Sequence, residues 1–290
     1  MAEARQNDPR ATLLASAPLR MGLAAGLTGF IHANGWRIRA HDHWVDHDEE
    51  YYFTRIVWEF PDDISSIEVR ERVDASLSKD QQLTWQLWFD NQPTRIAVFV
   101  TREMAHLYEM AMHCISGLWH AEIAMVISNR EDLRAETERF NLMFHHIPIT
   151  EANKAEQENK QLRLLQAENI DLVVLARYMQ IVTDKLIGPF QNRIINIHHS
   201  MLPAFAGAKP YHQAYKRGVK LIGATSHYVS EELDAGPIIA QDVAPVTHRK
   251  SVEELVQIGR QLETRVLARA TKLHVEHRVI AVSGRTVVFD

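Results

Sequence analysis

The chain has 290 residues, enough for two ordinary domains, and its 46% hydrophobic and 24% charged composition is that of a folded globular protein rather than a disordered one. A formal net charge of -5 argues against a general nucleic-acid binder, which needs clustered Lys and Arg to neutralise phosphate. No apolar run reaches the roughly 18 residues of a membrane span, MAEARQNDPR lacks the apolar core of a secretion signal, and Cys114 as the only cysteine excludes an intramolecular disulfide, so a cytoplasmic location is expected.

An apolar stretch at 12–17 is followed by helical spacing at Leu23, Leu27, Phe30 and Ile31, closed by Gly35, a favourable C-terminal cap. Two strand-like segments come next, 36–45 and 51–60; in the second, Tyr52, Thr54, Ile56, Trp58 and Phe60 share a face. Asp62 and Asp63 precede a second helical pattern through Ile67 and Leu77, and 83–89 closes as a strand. The order β-α-β-β-α-β predicts a small ferredoxin-like α+β domain over 11–90. Its tryptophans, Trp36, Trp44, Trp58, Trp85 and Trp88, read as core or interface rather than a ligand cage. His41, His43 and His47 are the densest histidine group, and residues two apart on a strand share a face. Without HExxH, CxxC or an EF-hand loop the ligand set stays incomplete, and no metal is expected.

Asp90, Asn91, Gln92 and Pro93 supply turn residues and a linker. From Arg95 onward apolar runs alternate with helices: strands at 96–100, 123–127, around Ile147, at 171–176 and at 193–198, with helices through Leu107 and Ile115, near Leu133, and over 151–168. This alternation predicts an α/β domain over 95–290 with a mostly parallel, Rossmann-like sheet. Ser251 and Glu254 form a capping box opening a long helix, and 279–282 with 286–289, joined through Ser283, Gly284 and Arg285, read as a terminal hairpin.

The densest chemistry lies in INIHHSMLPAFAGAKPYHQA, 195–214. Ile195 and Ile197 alternate with Asn196 and His198, so on a strand the two polar side chains point the same way, at the carboxyl end where open parallel sheets place their ligands. A buried histidine satisfied by a neighbouring amide is the competing explanation.

Asp234 follows thirty-six residues after His198, within SEELDAGPIIAQ. An Asn-x-His strand end, a Ser-x-Leu-Pro turn (Ser200, Leu202, Pro203) and a Glu-Leu-Asp-x-Gly-Pro loop (through Gly236 and Pro237) resemble the folate-dependent formyltransferase and deformylase superfamily. Within it, His199 where transferases usually carry Pro, and the stretches 144–150, 204–215 and 245–256, are similar to the formyltetrahydrofolate deformylases, as is an amino-terminal ACT-type domain. The resemblance implies Asn196, His198 and Asp234 as the catalytic trio. It further implies that the 175–183 segment holds the pterin, with Met179, Gln180, Val182, Ser200 and Glu231 as substrate-binding residues. It implies hydrolysis of N10-formyltetrahydrofolate to tetrahydrofolate and formate, with the folate as substrate, no cofactor, a homo-oligomer, and an amino-acid effector at the ACT-type domain.

The chemistry is consistent with that implication. Hydrolysing a formamide requires water attack, shelter for an oxyanion and protonation of the leaving nitrogen. An imidazole of pKa about 6.5 moves protons near neutrality. An Asn amide can face the oxyanion, and an Asp can orient the imidazole or place the water. Two other functions compete. Formyl transfer to an amine needs a site for a second substrate, yet 100–110, VTREMAHLYEM, contains no glycine for a phosphate loop. A non-catalytic folate or amino-acid sensor would have no use for the trio. Two departures from the family pattern stand out: Ala105 and His106 replace a His-Cys pair, by drift in a helix start or by reshaping of the acceptor pocket. Leu19, Arg20, Met21 and Gly22 replace an Asp-Arg-Pro-Gly-like turn.

Overall fold

The first six elements follow the expected order: β1 (Arg10–Pro18), α1 (Leu23–Ala33), β2 (Arg37–Asp46), β3 (Tyr51–Glu59), α2 (Ser66–Leu77) and β4 (Thr84–Phe89). The computed structural model describes residues 8–203 and 210–290, so 204–209 of the stretch 204–215 lies outside the described residues. The four strands form an antiparallel sheet in the order β2-β3-β1-β4. Period-two alternation sends Leu13, Ile56, Trp58 and Leu87 to one face, where they pack with Leu27 and Ile31 of α1 and Val69 and Val73 of α2. Trp36 and Trp58 are buried and stacked at 6.0 Å, which makes them core. Trp44, 44% exposed, stacks on Phe53 at the strand surface. His41 and His43 have ring centroids 5.5 Å apart along β2, and His43 stacks on Tyr52.

Contacts divide the chain into two units at Pro93 and Thr94. His277–Ile280 and Val287–Asp290 group with the first unit, whereas the sequence assigned them to the 95–290 domain. The physical reason is local. Trp88 stacks on His277 at 4.1 Å, and Arg55 Nε donates to the His277 carbonyl at 2.9 Å.

The second unit contains β5 (Thr94–Val100), α3 (Ala105–Ile115), β6 (Ala121–Ser128), α4 (Arg134–Glu138), β7 (Phe144–His146), α5 (Lys154–Ala167), β8 (Leu172–Ala176), α6 (Asp184–Ile187), β9 (Ile194–His198), α7 (Pro210–Arg217), β10 (Leu221–Tyr228), β11 (Ile238–Pro245) and α8 (Val252–Val275). The seven strands order as β11-β10-β9-β8-β5-β6-β7. The five from β9 to β7 are parallel, and β10 and β11 extend the sheet antiparallel. β8 and, after Thr94 and Arg95, the rest of β5 are uninterrupted apolar runs because a parallel sheet is covered on both faces. α8 opens on the capping box: Ser251 Oγ accepts from Glu254 N, and Glu254 Oε2 accepts from Ser251 N. A closing hairpin, β12 (Val279–Val282) and β13 (Arg285–Val288), turns through Ser283 and Gly284, both with positive φ as a type I′ two-residue turn requires. Among the described residues no helix is long and apolar enough to cross a membrane.

Candidate active site

The carboxyl ends of β5, β6 and β8 are tied to one another. Thr101 Oγ1, just past β5, donates to Asn129 Oδ1 past β6 at 2.8 Å and accepts from Met179 N past β8 at 3.1 Å. The 178–183 segment is anchored from α5 as well. Buried Glu158 accepts from Thr183 N at 2.8 Å and Thr183 Oγ1 at 2.6 Å, and Gln161 Nε2 donates to Tyr178 Oη at 2.9 Å. Met179 is largely exposed, and Gln180 is half-buried. The side chain of Val182 lies in the apolar core, so only its backbone is available to a ligand.

β9 presents Asn196 and His198 on one face while Ile195 and Ile197 are buried. β10 pairs with it antiparallel, setting Thr225 opposite His198 and His227 opposite Asn196. Thr225 Oγ1 donates to the Ser200 carbonyl and accepts from Leu202 N and Gln241 Nε2, which pins the Ser-x-Leu-Pro turn beside the site. Ser200 is buried.

Asp234 reaches this face from the loop after β10. Its φ is +57°, a left-handed conformation uncommon for a residue with a side chain. The loop returns tightly: Tyr228 N donates to the Pro237 carbonyl, and a Cβ at Gly236 would stand 1.8 Å from the Tyr228 carbonyl oxygen. Glycine is therefore required there. The result is a contact of 3.2 Å between Asp234 Oδ2 and His198 Nδ1. Asp234 Oδ1 lies 3.7 Å from His227 Nε2, an electrostatic neighbour beyond ordinary hydrogen-bond distance. Asp234 thus meets His198, and both Asp234 and Asn196 border His227. Glu231, earlier in the same loop, is exposed to solvent.

His227 is the residue that sequence reasoning missed. Its ring is buried, and Nδ1 faces the Tyr228 carbonyl at 2.9 Å. A carbonyl only accepts, so Nδ1 carries the proton and Nε2 of the neutral ring is bare. Asn196 Nδ2 donates to that nitrogen at 3.3 Å. This fixes which way the Asn196 amide points and leaves its second N–H for another partner. The segment 221–228, LIGATSHY, lacks the apolar alternation that marks a strand, so the sequence offers little signal for His227.

The electrostatics separate the groups. Burial lowers the pKa of His198, and nearby Asp234 only partly opposes it. The imidazoles beside it, His227 first and then His198, hold Asp234 below the ordinary carboxylate range. The 3.2 Å contact makes His198 its directional partner. With Nδ1–H facing a carboxylate, His198 Nε2 is a proton acceptor, and it is buried without a hydrogen-bond partner among the described residues. Next in the chain, His199 sits edge-on to His198 at 4.9 Å; burial first, then His198 and Arg177, lowers its pKa to about 4. His106 belongs to α3, is 1% exposed, and is held to a pKa of about 4 by burial and then Arg177.

Residues 94–271 match the formyl transferase family. The chain is 44% identical to the formyltetrahydrofolate deformylase of Synechocystis sp., over 96% of this chain and 98% of that protein. The crystal structure of a formyltetrahydrofolate deformylase from Pseudomonas syringae pv. tomato superposes with a TM-score of 0.94 at 38% identity, covering 99% of this chain and 96% of that one. Glycinamide ribonucleotide transformylase 1 from Symbiobacterium toebii superposes at 0.65 with 32% identity, covering 98% of its own length but 71% of this chain. The chain belongs to the formyl transferase family and, within it, to the formyltetrahydrofolate deformylases.

Proposed function

We propose that the chain hydrolyses N10-formyltetrahydrofolate to tetrahydrofolate and formate, with Asn196, His198 and Asp234 as the catalytic residues. The observation that carries this reading is the His198 ring held between Asp234 on Nδ1 and an unpartnered, buried Nε2. In this reading His198 Nε2 removes a proton from the attacking water as its oxygen bonds to the formyl carbon. The second N–H of Asn196 faces the developing oxyanion; losing such a donor typically costs about 2.7–4 kcal/mol of transition-state stabilisation. His198 then delivers the proton to N10 as the C–N bond breaks, and the formic acid released ionises to formate. Asp234 keeps the imidazole in the required tautomer and supports its charged form during transfer. His227 acts through Asn196 and is a positioning residue.

The folate lies against the 178–183 segment, where exposed Met179 offers an apolar surface and Gln180 a polar one, with Ser200 at the neighbouring turn and Glu231 at the rim. The amino-terminal unit is read as an ACT-type module over 11–90 with a structural or oligomer-forming role, in a cytoplasmic enzyme. Arg20, within the altered turn, is already engaged by Asp80 and by Gln82 at 3.0 Å, which supports a structural role over effector binding.

The test is incubation of purified protein with N10-formyltetrahydrofolate and no amine acceptor, following formate and tetrahydrofolate together. Equimolar release of both is expected. No release at high enzyme concentration would sink the reading.

A further inference from the structure

A second cluster of polar groups, unused by the hydrolytic chemistry, adjoins His199. Its T-shaped contact with Tyr211 of α7 spans 6.4 Å. Tyr211 Oη donates to Glu263 Oε1 of α8 at 2.6 Å, and Arg177 Nη1 donates to Glu263 Oε2 at 2.8 Å. Both carboxylate oxygens are therefore occupied by internal partners, and Glu263 is 1% exposed. Tyr211 is seated in a notch that only glycine leaves open: a Cβ at Gly259 would lie 2.1 Å from its Oη. His106, within electrostatic reach of Arg177, has both ring nitrogens buried and unpartnered among the described residues, as is His199 Nδ1.

The position of this cluster in the sheet is informative. Open parallel sheets take ligands where connections diverge to opposite sides, at the carboxyl ends of the strands. Here that point lies between β5 and β8, because the chain leaves β5 toward β6 on one side and resumes at β8 on the other. His106 enters just past β5, and Arg177, with φ +56°, immediately follows β8. A crevice able to seat a polar second substrate would have to offer its charges to that substrate. In this chain the carboxylate and guanidinium satisfy each other, and separating them would leave a buried charge uncompensated. The transformylase that superposes on this unit carries, by its name, an acceptor other than water.

We propose that Tyr211, seated against Gly259 and bonded to the Glu263–Arg177 pair, forms with His106 and His199 a wall that fills the acceptor side of the site and restricts the formyl acceptor to water. The inference rests on the hydrolytic reading above. Water attacks, its oxygen bonds to the formyl carbon, the bond to N10 breaks, and N10 takes a proton. An amine would follow the same course, its nitrogen bonding to the formyl carbon and its proton passing to N10, if it had room to approach. These residues determine specificity, and the trio performs the chemistry.

The experiment measures how the formyl group partitions between formate and N-formyl product when hydroxylamine or glycinamide is added. The wild-type protein should give formate almost exclusively. Tyr211→Ala, which empties the notch, and Gly259→Ala, which displaces the phenol while favouring the helix, should each raise the N-formyl share by about tenfold or more. Tyr211→Phe, which keeps the ring and loses only the hydroxyl, should leave the partition as in wild type. An unchanged partition in both opened variants overturns the proposal, as does loss of both products in both variants at wild-type thermal stability, which would place Tyr211 in the chemistry itself. Wild-type protein that formylates the amines as readily as the variants also overturns it. Failure of the wild type to release formate would sink the hydrolytic reading and this inference with it, whereas formate release with unchanged partition sinks this inference alone.

Discussion

Asp234 and Glu263 are carboxylates at the two ends of a chain of contacts running through His198 and His199, and their surroundings set them to opposite tasks. Asp234 is 24% exposed, stands on a strained loop, and is held below the ordinary carboxylate range by imidazole neighbours. Glu263 is 1% exposed on a rigid 24-residue helix, and burial pushes its pKa up against the pull of Arg177. The first keeps an accessible edge on a ring that must gain and lose a proton. The second is closed off by Tyr211 and Arg177 and has no edge to offer. Ionised carboxylates are thus made reactive or architectural by what touches them, and their distance in sequence from the Asn-x-His strand says little about which.

Three substitutions probe that contrast. His198→Ala should have the largest effect, lowering kcat for formate release by about 10²–10⁴-fold with little change in fold, as removal of a general acid–base does. Rates within a few-fold of wild type would refute the assigned role. Glu263→Ala removes one partner of a buried pair and should lower stability in urea by about 3–5 kcal/mol. Asp234→Asn, which tolerates the left-handed backbone, should change stability by less than about 1 kcal/mol while losing most of the activity. Equal stability losses at the two positions would erase the distinction drawn between them. The smallest effect is on pH dependence. His198 must be neutral to accept a proton, and burial lowers its pKa, so activity should fall with acid only below the ordinary imidazole value of about 6.5. Asp234 raises the pKa of His198, so in Asp234→Asn the residual kcat/KM should lose its acid limb at a still lower pH. A limb displaced upward would contradict the sign.

The sequence made the β9 face legible because its signal is local: two isoleucines alternating with Asn196 and His198 declare a strand with a polar edge. The capping box at Ser251 and the glycine turn at Gly284 are local in the same sense, and both occur where expected. β10 is different. Gly223, Ala224, Thr225, Ser226 and His227 have neither the bulk nor the alternation of an ordinary strand, yet nearly every position is buried. Three of them have a reason outside their own segment. A Cβ at Gly223 would meet the Asp242 carbonyl at 3.0 Å, Thr225 pins the turn after β9, and His227 sets the Asn196 amide. Arg177, Tyr211 and Glu263 were equally hidden, because a buried charge network is assembled from three elements and no one of them announces it. Asp234 was reached only through family resemblance, since its link to His198 crosses a strand pairing that alternation did not reveal.

The clearance at Gly236 bears on how such a site tolerates change. The loop from β10 to Asp234 is closed by a contact in which a single hydrogen atom stands where a methyl group would meet the Tyr228 carbonyl. The reach of the aspartate is therefore calibrated two residues away, at a position with no chemistry of its own. Tolerance to substitution along this loop is governed by clearance rather than by functional groups, so the least reactive residue in it is among the least replaceable.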